Sequence, residues 1–224
     1  MPSKNTIRNF VKGGTYHIYN RGVEKRDVFL DQQDYRMFLY YLKSYLSVPD
    51  TQKDLPRIIS RLGPGFDLYK NIKLLCYVLM PNHFHFLIKT ESERAITEFM
   101  KRLSNGYVKY FNEKYERVGP LFQGRYKSIF VFKDEHLLHL SSYIHINPIG
   151  LKDYSNLKSL EHYSFSSYPD YIGKRNTLWV FRDIILNYME GEKNLEYKKQ
   201  TENLAVVSDK YKKESTPLTP FLLD

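Results

Sequence analysis

The sequence predicts an α+β protein with a ferredoxin-like βαββαβ sandwich, a mainly antiparallel sheet and additional C-terminal helices. Three observations predict this fold class. A run of β-branched and aromatic residues precedes a helical pattern, and two apolar runs separated by a Pro-Asn turn signal follow it. A second, longer helical pattern and a further strand complete the order strand, helix, strand, strand, helix, strand. The hydrophobic fraction of 42% is enough for a packed core.

The first strand and helix precede a long insertion. Residues 15–20, TYHIYN, are typical of a strand because they are β-branched and aromatic. From Asp31 onward, apolar residues recur at three- and four-residue steps, which predicts a helix that Asp31 or Asp34 could cap. Residues 47–71 contain three prolines and two glycines, and this composition indicates an irregular insertion.

The central elements have the most regular patterns. The apolar run IKLLCYVLM at 72–80 and residues 83–89 predict two strands joined as a hairpin. One apolar stripe at helical spacing predicts a long helix over residues 91–115. Residues 121–132 predict a loop that enters a strand, and a helix over residues 134–147 follows, where a proline ends it.

The C-terminal part predicts one more helix and a polar tail. The apolar segment LWVFRDIILNYM, residues 178–189, predicts the helix. From Glu192 onward the chain is polar, and its last residues, KKESTPLTPFLLD, indicate a frayed end. We therefore expect one domain over residues 1–172 and, over residues 173–224, a helical extension with a flexible tail.

Charge and cysteine content limit the function classes. The net charge of +9 and the pI near 9.3 favour a polyanionic partner, nucleic acid or an acidic membrane surface, although a basic protein without such a partner has the same charge. Cys76 is the only cysteine, which excludes a disulfide framework and a cysteine-based zinc site. The N-terminus lacks the apolar core of a signal peptide, and no apolar run is long enough to cross a bilayer. We therefore expect a cytoplasmic protein without a membrane partner.

Two histidines interrupt the strand at residues 83–89. Side chains alternate across a strand, so His83 and His85 point to one face while Phe84 and Phe86 point to the other. The phenylalanine face is typical of a core. Two imidazoles one strand repeat apart can bind one metal ion, although hydrogen-bonded histidines without a metal fit the same spacing. The pair therefore predicts a candidate metal site that needs a third ligand and a reactive group.

The helix at residues 134–147 could supply both. Tyr143 and Asn147 are one turn apart, so the hydroxyl and the amide project from the same face. The packing stripe of this helix lies on a different face and consists of Leu137, Leu140 and Ile144. An amphipathic helix end with a surface tyrosine fits the same pattern.

Several longer motifs resemble a known family. HFH follows a Pro-Asn turn and resembles the His–hydrophobic–His motif of HUH single-strand nucleases, while GPLFQGRYKSIFV and YIHINP resemble the single-tyrosine HUH transposases. Within that family the chain resembles the branch of REP-associated tyrosine transposases. The resemblance extends over residues 10–172 and also includes YHIYNRG, LFQGRY and YSFSSY.

The resemblance implies a sequence- or hairpin-specific endonuclease and strand transferase for single-stranded DNA, active in transposition or recombination. It implies that Tyr143 is the nucleophile and forms a covalent 5′-phosphotyrosine. It also implies that His83, His85 and Asn147 hold a divalent ion, Mg²⁺ or Mn²⁺. The family has Gln or a similar residue at the position of Asn147, so the shorter asparagine amide is a departure from the family pattern.

Two other functions remain open. The chain could be a domesticated protein that binds DNA hairpins without cleaving them, or a metal-dependent phosphodiesterase that acts through activated water. Tyr107 and Tyr110 compete with Tyr143 as the nucleophile, but both lie on the apolar stripe of the long helix, which indicates packing residues. We expect a monomer or a homodimer.

Seven basic residues are the expected DNA contacts, because Lys and Arg contacts to phosphate set the affinity. They are Arg21, Lys25, Arg26, Lys101, Arg102, Arg125 and Lys127. Arg125 and Lys127 flank Tyr126 just before the predicted catalytic helix, so we expect them to contact the DNA strand directly. A solvated, charged strand edge is the alternative for these two residues.

Overall fold

The computed structural model describes residues 9–48, 67–152, 154 and 157–213. Most of the insertion predicted at residues 47–71 lies outside this part of the chain, and so does the end of the predicted polar tail.

The chain forms two compact units. Unit 1 comprises Met1–Leu74 and Leu79–Phe130, and unit 2 comprises Leu75–Val78 and Val131–Asp224. The expected division after residue 172, into a domain that resembles the single-tyrosine HUH transposases and a helical extension with a flexible tail, stays a prediction.

A four-stranded sheet carries the candidate site. Its strands are β1 (Thr15–Arg21), β2 (Ile72–Met80), β3 (His83–Thr90) and β4 (Lys127–Phe130), in the order β2-β3-β1-β4. β1 pairs antiparallel with both β3 and β4, and the two-residue connection between β2 and β3 makes an antiparallel hairpin. One long helix follows β1 and another follows β3. This arrangement confirms the predicted ferredoxin-like α+β fold.

The strand register decides which side chains meet on the sheet. In the pairing of β1 with β3, Tyr19 lies opposite His85 and Arg21 lies opposite His83. In the pairing of β1 with β4, Tyr19 lies opposite Lys127. Because side chains alternate along a strand, these five residues share one face of the sheet.

The other face of the sheet packs against helices. The helices of unit 1 are α1 (Gln32–Leu46), α2 (Leu68–Asn71) and α3 (Ala95–Lys114). The ring of Phe38 on α1 lies 5.5 Å from the ring of Phe84 and 6.2 Å from that of Phe86. The ring of Phe99 on α3 lies 6.4 Å from that of Phe86. The phenylalanine face of β3 is therefore the core, as the alternation predicted.

A capping box begins α1. The Asp31 carboxylate accepts a hydrogen bond from the Asp34 backbone N–H (3.0 Å), and the Asp34 carboxylate accepts one from the Asp31 N–H (3.3 Å). Both residues proposed as caps therefore act together. Asp34 is fully buried, and it also accepts a hydrogen bond from Lys114 Nζ (2.8 Å). This ion pair ties the start of α1 to the end of α3.

Unit 2 is mainly helical in the part of the chain that the structure describes. Its helices are α4 (Asp134–Ile146), α5 (Leu157–Leu160), α6 (Tyr168–Tyr171), α7 (Asp183–Leu186) and α8 (Lys193–Lys213). α4 packs against α8. These elements confirm the predicted C-terminal helices. None of the helices within the described ranges combines the length and the apolar composition that a bilayer crossing requires.

Two C-terminal details differ from the expectation. The helix predicted over residues 178–189 is reduced to the four residues of α7. The residues before it form turns and an isolated bridge, in which Trp179 and Val180 are buried and Trp179 stacks on Tyr77 at 5.5 Å, while Leu178 is exposed. The polar segment after residue 192 is helical as α8. Its buried residues recur at four-residue steps, namely Tyr197, Thr201 and Ala205.

A buried polar network connects α4 to α8. The Ser141 hydroxyl donates to the Leu138 carbonyl and accepts from the Tyr197 hydroxyl (2.9 Å for each bond). The Tyr197 oxygen must then accept from His145 Nδ1 (2.8 Å), which leaves His145 Nε2 to accept from the Ser167 hydroxyl (2.8 Å). Burial and, secondarily, the charge of a nearby arginine lower the pKa of His145 to about 3, so this imidazole is neutral.

Candidate metal and nucleic-acid site

A cavity of about 1060 Å³ opens on the histidine face of the sheet in unit 1. The lining residues include two of the three predicted metal ligands and three predicted DNA contacts, namely His83, His85, Arg21, Arg125 and Lys127. Strand alternation places the histidines there, the turn before β4 brings Arg125 beside them, and the pairing of β4 with β1 brings Lys127. The cavity is large enough to hold a nucleotide-sized ligand.

The two predicted metal ligands are close neighbours. The ring centroids of His83 and His85 are 5.1 Å apart, and the ring planes are nearly perpendicular at 89°. Both side chains are half-buried. Each imidazole makes a hydrogen bond through its Nδ1 atom, and these two bonds decide which nitrogen can bind a metal.

Asn82 sets the proton position on His83. Asn82 Nδ2 donates to the Lys25 carbonyl (3.1 Å), so the amide oxygen of Asn82 is the atom that faces His83 Nδ1 at 2.6 Å. A carbonyl oxygen has no proton to give, so His83 Nδ1 donates this bond. In the neutral form of the ring, the lone pair then lies on Nε2, the nitrogen that can bind a metal ion.

The loop after β1 presents the Lys25 carbonyl to Asn82. Glu24 and Lys25 have the positive φ values of 56° and 63°, which are uncommon for residues other than glycine. A Cβ atom at Gly22 would clash with the Arg26 carbonyl oxygen, so this tight loop requires glycine there. The Gly22 N–H also donates to the Asn82 carbonyl (2.8 Å). These two hydrogen bonds fix the loop after β1 to the turn between β2 and β3.

His85 contacts a third histidine. His85 Nδ1 lies 2.8 Å from Nε2 of His17 on β1, and the two rings stack at 5.0 Å and 19°. Tyr19 stacks on His85 at 5.7 Å. Burial lowers the pKa of His17 to about 4, and burial followed by the nearby imidazoles of His17 and His83 holds the pKa of His85 well below its usual range. Neutral imidazole is the form that binds metal ions.

This donor set fits a divalent metal ion with two protein ligands. Imidazole nitrogen suits Mn²⁺ and later transition metals better than Mg²⁺. In the described part of the chain, no three His, Cys, Asp or Glu side chains are arranged to hold a metal ion together. His83 and His85 could therefore bind an ion whose other ligands come from water or from a phosphate group.

The basic residues fall into two groups. Arg21, Arg125 and Lys127 line the cavity, and Lys127 Nζ lies 5.9 Å from the centroid of the Tyr19 ring. Lys101 on α3 lines a second cavity of about 450 Å³ that shares Arg125 with the first. These residues could contact successive phosphates of one strand.

The remaining three predicted DNA contacts have other partners. Arg26 forms an ion pair with Glu24 (2.9 Å), and Arg102 forms one with Glu98 (2.5 Å). Lys25 supports the site through the backbone carbonyl that binds Asn82. The structure therefore gives these three residues structural partners, and their contact with DNA stays a prediction.

The predicted nucleophile and third ligand lie in unit 2. Tyr143 is half-buried on α4, and Asn147 follows the last turn of this helix. Asn147 Nδ2 donates to the Tyr143 carbonyl (2.9 Å), so the amide oxygen is the atom that could bind a metal. The attack by Tyr143 and the ligation by Asn147 stay predictions.

The competing tyrosines are held inside unit 1. Tyr107 is fully buried, and its hydroxyl donates to the Val28 carbonyl (2.5 Å). Tyr110 is half-buried, and its hydroxyl donates to the Asp34 carboxylate (3.1 Å). Burial raises the pKa of both hydroxyls, which disfavours the phenolate. Tyr107 is therefore a packing residue, as its place on the apolar stripe predicted.

Two residues at the site have roles that the sequence pattern does not predict. The pattern indicates only a turn at Asn82 and only a strand at His17. The alternation of β1 places His17 and Tyr19 on one face, but the partner of that face depends on the pairing register with β3. A single sequence does not contain that register.

Two comparisons with known proteins bear on the family and the fold. The model of the family described as IS200-like transposase matches residues 49–147. No curated protein matches the chain. The solved structure of a REP-associated tyrosine transposase bound to a REP hairpin is similar, with a TM-score of 0.50 and 15% sequence identity, over 77% of this chain and 87% of that one. These findings confirm the predicted resemblance and the fold.

Proposed function

Because the chain resembles the IS200-like transposases and has the fold of a REP-associated tyrosine transposase, we propose that it cuts and rejoins single-stranded DNA beside a hairpin. The substrate would be a DNA strand whose scissile phosphate enters the cavity on the histidine face. Tyr143 would be the nucleophile, and His83 and His85 would hold a divalent ion, Mg²⁺ or Mn²⁺.

One observation carries this proposal. Two imidazoles, each bonded through Nδ1, line the same cavity as Arg21, Arg125 and Lys127. A metal site surrounded by cationic side chains suits an anionic ligand, and a phosphodiester is the anion that the family processes. The net charge of +9 supports a polyanionic substrate.

The chemistry of the chain's own residues is simple. Arginine and lysine side chains would bind the phosphates on either side of the scissile bond and hold the strand in register. The Tyr143 oxygen would attack phosphorus as its proton leaves, so that a bond from tyrosine to phosphorus forms and the bond from phosphorus to the 3′ oxygen breaks. The released 3′ oxygen takes up a proton. A divalent ion bound by the imidazoles would polarise the phosphate and stabilise the developing charge.

The covalent product explains how joining needs no ATP. The phosphotyrosine retains the energy of the broken phosphodiester, so a different 3′ hydroxyl can attack it and release the tyrosine. A water-activating phosphodiesterase would instead give hydrolysed ends with no bond to the protein. A hairpin-binding protein without catalysis would give neither product.

The test is adduct formation on labelled DNA. The protein is incubated with Mn²⁺ and a labelled single strand that carries a hairpin, and the products are separated under denaturing conditions. We expect a protein–DNA adduct with the wild type and with Tyr110→Phe, and none with Tyr143→Phe. His83→Ala and His85→Ala should also abolish cleavage.

Other outcomes would select another function. An adduct that survives in Tyr143→Phe would show that the nucleophile is a different residue. Cleavage without an adduct, also in Tyr143→Phe, would indicate activated water. Tight hairpin binding by the wild type with no cleavage in Mn²⁺ or Mg²⁺ would indicate a domesticated binding protein.

A further inference from the structure

We propose that His17 is a positioning residue that keeps His85 in the tautomer required for metal binding. This inference rests on the proposed function only in taking His85 as a metal ligand. The observation behind it is the 2.8 Å contact between His17 Nε2 and His85 Nδ1, in which two ring nitrogens face each other.

A contact between two ring nitrogens requires opposite roles. One nitrogen carries the proton and donates, and the other offers its lone pair and accepts. If His85 Nδ1 donates, the lone pair of His85 lies on Nε2. If His17 Nε2 donates, the proton of a neutral His85 ring must lie on Nε2, where it would prevent metal binding. The structure therefore allows two tautomer pairs, and only one of them suits a metal ligand.

The position of His17 makes it a fixed partner. Tyr19 lies opposite His85 in the sheet, so His17 is the diagonal neighbour on the adjacent strand, within reach of an aromatic side chain. His17 is 8% exposed, and its ring stacks on both Tyr19 (5.0 Å) and His85 (5.0 Å). Stacking and burial restrict ring rotation, so His17 Nε2 stays aimed at His85 Nδ1.

His83, the other predicted histidine ligand, also has a hydrogen-bond partner on Nδ1, and this supports the tautomer proposed for His85. Asn82 accepts a hydrogen bond from His83 Nδ1 and thereby leaves the lone pair on Nε2. If His17 accepts from His85 Nδ1, the two ligands have the same tautomer, and both direct Nε2 away from their hydrogen-bond partners. Outer partners of this kind orient metal-binding histidines and raise metal affinity.

A neutral imidazole partner has a chemical consequence. Carboxylate partners are common for metal-binding histidines, and each adds a negative charge near the metal. His17 and Asn82 hold the two ligands without adding such a charge. These two hydrogen-bond partners therefore do not reduce the positive charge that a bound ion would offer to the anionic phosphate of the substrate. The carboxylate among the lining residues is that of Glu24, which pairs with Arg26.

The first test is the tautomer of His85 in the metal-free protein. Long-range ¹H–¹⁵N correlation spectra distinguish the protonated from the unprotonated ring nitrogen, and His85→Gln assigns the signals. We expect the proton on Nδ1 of His85 and an unprotonated Nε2 on His17. A proton on Nε2 of His85 in the wild type would overturn the proposal.

The second test compares two substitutions of His17. His17→Phe keeps a planar ring but has no acceptor, whereas the carbonyl of His17→Gln can accept near the position of Nε2. Mn²⁺ binding is measured by electron paramagnetic resonance without DNA. We expect affinity to fall about 10- to 100-fold in His17→Phe. It should recover substantially in His17→Gln.

The outcomes separate this inference from the proposed function. Equal Mn²⁺ affinity in the wild type and His17→Phe would overturn the inference, and so would equal losses in both variants, which would indicate a packing role only. Neither measurement uses DNA or Tyr143. If the wild type fails to form an adduct with DNA while the tautomer and the Mn²⁺ results hold, the proposed function fails and the role of His17 stands.

Discussion

The Tyr107 hydroxyl donates a hydrogen bond of 2.5 Å to the Val28 carbonyl in the interior of unit 1. Because Tyr107 is fully buried, this bond is not exchanged with water. Tyr107, near the middle of α3, is thereby fixed in the core, and its hydroxyl satisfies a backbone carbonyl in the segment between β1 and α1. The hydrogen bond therefore indicates that Tyr107 has a structural role and is not a nucleophile.

Tyr107→Phe should destabilise the protein without affecting chemistry. The substitution leaves the buried Val28 carbonyl without its partner, so we expect the free energy of unfolding to fall by about 1–3 kcal/mol. Denaturant unfolding measures this loss. Tyr110→Phe is the matched control on the same helix, and we expect a smaller loss because Asp34 keeps its bond to Lys114. Adduct formation with DNA should persist in both variants. Loss of the adduct in folded Tyr107→Phe would contradict the packing role.

The basic residues of the cavity should contribute to the salt dependence of DNA binding. Arg125→Ala and Lys127→Ala should each weaken hairpin binding and lower the slope of log affinity against log salt by about 1, if each side chain neutralises one phosphate. Fluorescence anisotropy of a labelled hairpin, titrated at several KCl concentrations, measures the slope. Lys199→Ala is the control, since Lys199 pairs with Glu196 on α8 at 2.7 Å. Unchanged slopes in both cavity variants would place the DNA elsewhere.

His145 should make stability depend on pH. Its pKa is lowered to about 3 in the folded protein, against 6.5 as the ordinary value, so the unfolded chain binds more protons between these pH values. Stability is therefore greatest above about pH 6.5 and decreases as the pH falls, by up to about 1.4 kcal/mol per pH unit from this residue. Unfolding free energies at pH 7.5, 6 and 5 measure the effect.

The contribution of His145 can be isolated by substitution. His17 and His85 also have lowered pKa values and act in the same direction. Between pH 5 and 6, His145→Asn should lower the slope of the unfolding free energy against pH by the equivalent of about one bound proton, which is about 1.4 kcal/mol per pH unit. Tyr197→Phe removes the hydroxyl that bonds His145 but keeps the histidine, so it should lower stability at every pH and retain most of the slope. An identical slope in the wild type and His145→Asn would show that His145 does not titrate on unfolding.

Much of the fold could be predicted because its signals are local. The apolar run of β2, the Pro-Asn turn and the alternation of β3 together define a hairpin, and the Asp31–Asp34 spacing marks the start of α1. The common face of His83 and His85 follows from the same alternation. Each of these inferences needs only residues that are close in sequence.

The rest depends on contacts between distant segments. The bond between His17 and His85 joins residues 68 positions apart, and the network of His145 joins α4 to α8 across 52 positions. α8 was missed because only its buried positions carry the helical repeat, and one of them is Thr201, which is not apolar. Local periodicity contains no information about which strand or helix will cover a given face.

The register between β1 and β3 limits how the site can change during evolution. The register in which β1 pairs with β3 brings five side chains of the site together, namely those of His17, Tyr19, Arg21, His83 and His85. Inserting or deleting one residue within either strand would turn the downstream side chains to the opposite face, and in β3 phenylalanines would then replace imidazoles at the cavity. The site can therefore be lost by substitution while the fold persists, but a length change within these strands would damage the site and the core together. Relatives that lack the proposed activity should accordingly keep the strand lengths and differ at the histidines.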